Sequence, residues 1–331
     1  MKNLAKYLSY EERLQAINNI DYILEFIGIP VAKRAKKEPN WETQKRLLEH
    51  KVNLIISRTW EEKVKEATAK AVEILKIDGV TAAVAKAVSA SLEQILGMGF
   101  VVSAVKDTKL IDHIQYAYDM AGKRTAKALK LPYAFTFVDE EAKAWLSKDM
   151  TYWIGQYYNE HIKEAVTKTV IHYAIEEGQN AWTTGQRIKD ILAGTYEIPP
   201  GYLPRSYIRA EAYWQGLATN AITRATVFGS IEPMVQAEVT EYEILNPMDD
   251  RTSPICRHLH GKKFSIEHAV KLRDDVLDAK TPEDIKTIHP WPKLREIEDL
   301  DTEQLAAKGL SLPPYHFHCR TTIVATKFKE Y

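Results

Sequence analysis

The sequence predicts a mainly α protein, in which a long-helix N-terminal and central region precedes a small α+β C-terminal module. From the start to about residue 229, apolar side chains recur at helical spacing. After Pro233 the pattern changes, because Val235, Ala237 and Val239 alternate with polar residues as in a half-buried strand. Beyond Asn246 the chain is rich in turn-forming residues. Helices therefore dominate the fold, and any sheet is confined to the last third.

Helical patterns follow one another through the first two thirds of the chain. Leu146, Met150, Trp153 and Tyr157 lie on one helical stripe, which predicts packing against a core. The predicted helices are Trp41–Lys76, Thr81–Gln94, Lys109–Lys130, Glu140–Glu177, Thr184–Ala193 and about Arg205–Phe228. Gly194 and Gly229 are expected to end the last two.

The C-terminal module begins with the strand after Pro233. Tyr242 and Ile244 shift the alternation by one residue, which predicts a β-bulge. A charged helix is expected near Ile266–Ala279 and a second strand at Thr321–Thr326.

Two domains are expected from the length of 331 residues. Residues 1–135 would form a helical N-terminal region, in which the basic run at residues 33–37 is interpreted as a solvated linker. Residues 136–331 would form the second domain, with a helical part at 136–233 and an α+β part containing cysteine and histidine at 234–331. Pro199-Pro200-Gly201 is the clearest break within the helical part.

Composition excludes several classes of protein. Lys plus Arg and Asp plus Glu number 45 each, so the formal charge is zero and does not favour a dedicated nucleic-acid coat. The longest apolar run, Ile95–Val105, is shorter than the roughly 20 residues needed to cross a bilayer. No membrane segment or targeting signal is therefore predicted, and synthesis in the cytoplasm is expected.

Cysteine and histidine are concentrated near the C-terminus. Six of the ten histidines lie between residues 258 and 318, where even scattering would place about two. Cys256 with His260 or His258, together with His316 and Cys319, could bind zinc with tetrahedral geometry. Alternatively, the two cysteines are small buried apolar residues in contact, with surface histidines beside them. The sequence leaves both interpretations open.

A third group of polar residues lies on the helix after the proline break. Arg209, Asn220 and Arg224 are spaced to share one helical face, and Glu211 points to the opposite side. Because no nucleophile accompanies a base here, structural contacts with buried neighbours are expected rather than catalysis.

The order of these landmarks resembles the Mu F-like family of tailed-phage minor head, or head morphogenesis, proteins. The resemblance runs from about residue 140 to 325. It begins with a long helix containing Trp, followed by the Gly178 and Gly185 segment and by Arg209-Ala210-Glu211 with Asn220. A strand comes next, and then a turn with Asp250, Arg251 and Thr252, followed by Cys256 and Gly261. The last landmark is the ending Pro313-Pro314-x-His316-x-x-Cys319-Arg320. The N-terminal 135 residues show no such match.

Two positions depart from the family pattern. The family often has a cysteine where this chain has Ser253, and another where it has Thr321. A four-cysteine site is therefore not available, and His260, His316 or His318 would have to supply the missing ligands.

The resemblance implies a structural virion component rather than an enzyme. Such a protein is made in the host cytoplasm and lies in the phage head interior. It is expected to bind portal and capsid or scaffold proteins during procapsid assembly, and to contact packaged or ejected phage DNA. The alternative is a metal-dependent hydrolase or nuclease, in which the metal activates water and a histidine acts as general base. Its residues would be Asp250, His258, His260, His316 and His318.

Overall fold

A computed structural model of the chain describes residues 41–77, 79–194 and 208–329. Residues 45–331 form one compact unit, and residues 1–44 are assigned to a separate one. The basic run at 33–37 and the Pro199-Pro200-Gly201 break lie outside the described residues. The fold class is confirmed: the chain is mainly helical, with a small three-stranded antiparallel sheet near the C-terminus. The division at residues 135 and 136 stays a prediction.

Helices fill the described chain up to residue 236. They are α1 (Trp41–Leu75), α2 (Ala82–Glu93), α3 (Phe100–Lys106), α4 (Leu110–Ala128), α5 (Phe137–Gly155), α6 (Glu160–Val170), α7 (Ala181–Ala193) and α8 (Ala210–Gln236). One π-helical segment, Gln94–Gly99, joins α2 to α3, and another, Ile171–Glu176, extends α6. Gly194 ends α7 in the left-handed conformation (φ 71°), as its position predicts.

An aromatic cluster lies where the helices meet. The rings of Trp60, Phe100, Tyr157 and Trp214 are in edge or tilted contact, with centroids 4.7–5.5 Å apart. The indole nitrogen of Trp60 also donates to the carbonyl of Leu192, 3.1 Å away. This cluster connects α1, α3, α7 and α8 with the segment after α5, so the stripe ending at Tyr157 does face a core.

The predicted helix Glu140–Glu177 is wrong as a single element. The chain leaves helical geometry after Gly155, and Asn159 starts α6 by accepting hydrogen bonds from the backbone nitrogens of His161 and Ile162. An asparagine side chain that caps a new helix competes with continuation of the old one. The apolar side chains continue at helical spacing across the break, so periodicity did not reveal the break.

The helix predicted to end at Gly229 continues to Gln236. A Cβ at Gly229 would collide with the carbonyl of Tyr118 on α4, so the glycine allows α4 and α8 to pack closely and does not end the helix. Pro233 lies in the last turn, where its missing N–H removes one helical hydrogen bond. The expectation of a strand at Val235 is therefore wrong, since Val235 belongs to α8.

The sheet has the order β2–β1–β3, formed by β1 (Val239–Leu245), β2 (Lys263–Ser265) and β3 (Thr322–Phe328). Register shifts on either side of Glu241 confirm the predicted bulge. Tyr242 pairs with Phe264, and its ring stacks on that side chain. The short helices of the module are α9 (Pro254–Leu259), α10 (Ile266–Leu277), α11 (Ile285–Ile288) and α12 (Thr302–Ala307).

Within the described residues, one helical stretch, Ala82–Lys106, is long and apolar enough to cross a membrane by length and composition alone. It is longer than the apolar run Ile95–Val105 suggested. Its Leu92, Leu96 and Phe100 are fully buried in the protein core, and core helices commonly pass the same test.

Candidate functional site

The site lies where three segments of the C-terminal module meet: the turn after β1, helix α9, and the segment before β3. The turn is closed by Asp249, whose carboxylate accepts hydrogen bonds from the backbone nitrogen of Arg251 and the hydroxyl of Thr252. Ser253 then caps α9 by accepting from the backbone nitrogen of Cys256. This local geometry places Cys256 on the first turn of α9, facing inward.

The segment before β3 is anchored on α8. The backbone nitrogen of Cys319 donates to the Asn220 side chain at 3.3 Å, and Thr223 donates to the Cys319 carbonyl at 2.8 Å. A Cβ at Gly216 would collide with the ring of Phe317, so this glycine makes room for the segment. Asn220 and Thr223 therefore connect α8 to the segment before β3.

Two thiols and one imidazole come together at the centre of the site; we call Cys256, His316 and Cys319 the thiol–imidazole cluster. The sulfur of Cys256 lies 3.0 Å from Nε2 of His316 and 3.8 Å from the sulfur of Cys319. Both cysteines are buried and unbonded to each other. Within the described residues, these three form the one group whose donor atoms could share a metal ion, all lying within 4.8 Å of one another.

Hydroxyl groups complete the surroundings of the sulfurs. Thr321 Oγ1 lies 3.1 Å from the sulfur of Cys319 and 3.3 Å from that of Cys256, and it donates to the side chain of Asn246. Ser253 Oγ lies 2.8 Å from Nε2 of His316. The two positions at which this chain departs from the family pattern, Ser253 and Thr321, thus both face the cluster.

The two thiols differ in acidity. A hydrogen bond from Cys319 lowers the pKa of Cys256 to about 6, against the opposing effect of burial. Burial, together with the neighbouring Cys256, raises the pKa of Cys319 well above its usual value. The pair therefore favours one thiolate, on Cys256, stabilised by the thiol of Cys319.

The remaining histidines of the predicted site lie elsewhere. His260 is exposed, and its Nδ1 accepts a hydrogen bond from the backbone nitrogen of Asn246 at 3.1 Å. Asp250 is also exposed, and neither it nor His258 joins the cluster. The structure consequently brings together three of the four proposed metal ligands, and it does not assemble the residue set of the hydrolase alternative.

An ion pair connects the turn after β1 with the segment before β3. The two terminal nitrogens of the Arg320 guanidinium, Nη1 and Nη2, donate to the carboxylate of Asp249 at 2.8 and 2.6 Å. This contact holds the pKa of Asp249 well below its ordinary range. The sequence pointed to the adjacent Asp250; two neighbouring aspartates in one turn offer no pattern that tells them apart.

The other motif residues lie outside the thiol–imidazole cluster. Gly261 adopts a left-handed backbone (φ 79°), and its nitrogen donates to the Ile244 carbonyl, which joins the turn after α9 to β1. Arg209 and Glu211 are exposed at the start of α8, so the expectation of buried polar contacts applies to Asn220 and Arg224 but not to them.

A second feature is an apolar cavity of about 380 Å³ beside the site. Its floor includes Arg224, which pairs with Asp149 at 2.7 Å, both side chains being buried. Burial raises the pKa of Asp149 despite this partner. The wall is formed by Trp153, Tyr213, Trp291, Phe317, His289 and other side chains. Sequence periodicity identified Trp153 as a packing residue but gave no sign of Asp149 or His289 at this cavity.

Comparison with known families bears directly on these features. Residues 164–324 match the family described as "Phage Mu protein F like protein". Over this region, the chain belongs to the Mu F-like family. The match contains α8, the sheet up to β3, the thiol–imidazole cluster and the Asp249–Arg320 pair, and it confirms the resemblance seen in the sequence. No curated protein and no solved structure gives a significant match.

Proposed function

We propose that this Mu F-like protein is a minor head protein that acts in phage head morphogenesis. The observation that carries the proposal is the family match over residues 164–324, about half of the chain. The matched region contains α8 and most of the C-terminal module, and the segment before β3 is hydrogen-bonded to α8 through Asn220 and Thr223. A module packed onto a long helix in this way suits a component that is built into a larger assembly.

Portal, capsid or scaffold proteins are the proposed partners, and the virion is the proposed location. The zero formal charge supports contact with proteins rather than a primary role in coating DNA. Exposed apolar side chains are frequent anchors of protein interfaces. The most exposed large one in the described part of the matched region is Trp182, at 65%.

Copurification tests the proposed partnership. The full chain, tagged and expressed together with the portal protein of the same phage or prophage, is expected to retain the portal through size-exclusion chromatography. The same experiment with the major capsid protein alone separates portal binding from shell binding. If neither protein is retained, and particles also lack the chain, the proposed function is wrong.

A further inference from the structure

We propose that the thiol–imidazole cluster is a zinc site, in which Cys256, Cys319 and His316 supply three ligands and a water molecule supplies the fourth. The proposal rests on the geometry of these side chains and does not depend on the role in the phage head. Two thiols and an imidazole are the donors that zinc prefers, whereas magnesium and calcium prefer oxygen.

Distances within the cluster agree with zinc coordination. With zinc–sulfur bonds of about 2.3 Å and tetrahedral angles, two sulfur ligands lie about 3.8 Å apart. The sulfurs of Cys256 and Cys319 are 3.8 Å apart. A sulfur and an imidazole nitrogen should lie roughly 3.6 Å apart on the same geometry. The Cys256 sulfur and His316 Nε2 are 3.0 Å apart, so a small rotation of the His316 side chain is required.

The imidazole of His316 is oriented for metal binding. Its Nδ1 lies 2.6 Å from the carbonyl oxygen of Phe317. Because a carbonyl oxygen can only accept a hydrogen bond, Nδ1 must be the donor. The proton is thereby held on Nδ1, which leaves the lone pair of Nε2 facing the sulfurs. A backbone carbonyl that fixes the tautomer in this way is a common second partner of zinc-bound histidine.

A small cavity provides space for the fourth ligand. It has a volume of about 10 Å³, roughly the space that one water molecule requires. Its lining includes Ser253, Cys256, His316, His318 and Arg320. Polar groups around this opening can hydrogen-bond a metal-bound water. Thr321 lies against the sulfur of Cys256 and donates to the Asn246 side chain.

Zinc would also explain how an irregular stretch is held in place. Cys256 lies in α9 and Cys319 lies just before β3, and the chain between them contains short helices, turns and the three-residue strand β2. A metal bound at both ends cross-links this stretch, which a small sheet alone holds weakly.

The metal content of the full-length protein tests the proposal. Protein purified under reducing conditions, and then dialysed against zinc and freed of excess metal, is expected to contain one zinc per chain by inductively coupled plasma mass spectrometry. Cobalt-loaded protein should show thiolate-to-cobalt charge-transfer absorption and the intense visible bands of tetrahedral cobalt. Cys256→Ser and His316→Ala should each lose the stoichiometric metal and these bands.

Histidine variants outside the cluster serve as matched controls. His260→Ala and His258→Ala should keep one zinc per chain, because neither histidine belongs to the thiol–imidazole cluster or lines the small cavity. If Cys256→Ser fails to fold, the wild-type metal content and cobalt spectrum still decide the question. Wild-type protein that holds no metal after zinc loading would overturn the proposal, and so would a Cys256–Cys319 disulfide that persists under the reducing conditions used for loading.

Discussion

At the scale of single residues, the buried groups beside the cavity determine how the protein responds to charge. Burial and the positive charge of Arg224 lower the pKa of His289 to about 3. Asp149 and Arg224 form a pair with less than a tenth of either side chain exposed. The free energy of unfolding therefore depends on the charge of these groups, which gives two predictions.

The first prediction concerns His289 and pH. Above about pH 6.5 an unperturbed histidine is neutral, so folded and unfolded chains bind the same number of protons there. As pH falls from 6.5 towards 3, the unfolded chain gains a proton that folded His289 refuses, and the free energy of unfolding falls. The loss at pH 5 should be about 2 kcal/mol. In urea denaturation, the free energy of unfolding of His289→Gln should fall by about 2 kcal/mol less than that of the wild-type protein between pH 7.5 and pH 5.

Exposed His161 provides the control for that experiment. His161→Gln should keep the pH dependence of the wild-type protein. If the free energy of unfolding of the wild-type protein and of both variants depended equally on pH, His289 would be protonated in the folded state within this pH range.

The second prediction concerns the buried ion pair. Arg224→Met leaves Asp149 buried beside an apolar side chain, which should lower the free energy of unfolding by about 3–5 kcal/mol. Adding Asp149→Asn should recover part of the loss, because the uncompensated charge is then gone. Lys70→Met, which removes a surface pair with Glu73, should change stability by less than about 0.5 kcal/mol. If Arg224→Met lowered the free energy of unfolding no more than Lys70→Met does, Asp149 would not depend on Arg224 for its stability in the core.

At the scale of elements, the contact of α4 with α8 positions the C-terminal module. Gly229→Ala places a Cβ against the Tyr118 carbonyl, so we expect a loss of about 1–3 kcal/mol as the helices separate. Gly97→Ala is the control, because its nearest foreign atom would be Glu93 Cγ at 3.9 Å. That variant should be neutral or slightly stabilising by thermal denaturation. Similar melting temperatures for the two variants would contradict the close packing proposed at Gly229.

Sequence patterns predicted the elements better than their ends. The bulge in β1 and the end of α7 at Gly194 followed from local rules, because both depend on neighbouring residues. The break before Asn159 and the continuation of α8 through Gly229 did not, because packing against other helices decides them. Tertiary contacts commonly override such local signals.

The same distinction applies to the site. Residue type and clustering predicted that Cys256, His316 and Cys319 come together, and in the structure their donor atoms lie within 4.8 Å of one another. The contacts of Asp249, Asn246 and Thr321 were not predicted, because they depend on which backbone and side-chain groups the turn brings near them. His260 matched the ligand spacing, but it lies on the outer side of the turn and binds the Asn246 backbone instead.

At the scale of the whole molecule, an exposed aromatic side chain offers a test of the partner surface. Trp182→Ser is expected to lower the amount of portal protein retained in copurification by about tenfold or more, because a buried interfacial tryptophan commonly contributes about 2 kcal/mol, roughly 30-fold in Kd. Ile77→Ser, which is 50% exposed outside the matched region, should have no effect. Equal retention by both variants would place the contact on another face.

The most direct test of the proposed function is quantitative mass spectrometry of purified particles from the source phage or induced prophage. We expect peptides of this chain in the particles, at a copy number far below that of the major capsid protein and comparable to that of the portal. Particles that contain the portal but lack this chain, at every stage from procapsid to mature head, would contradict the assignment as a minor head protein.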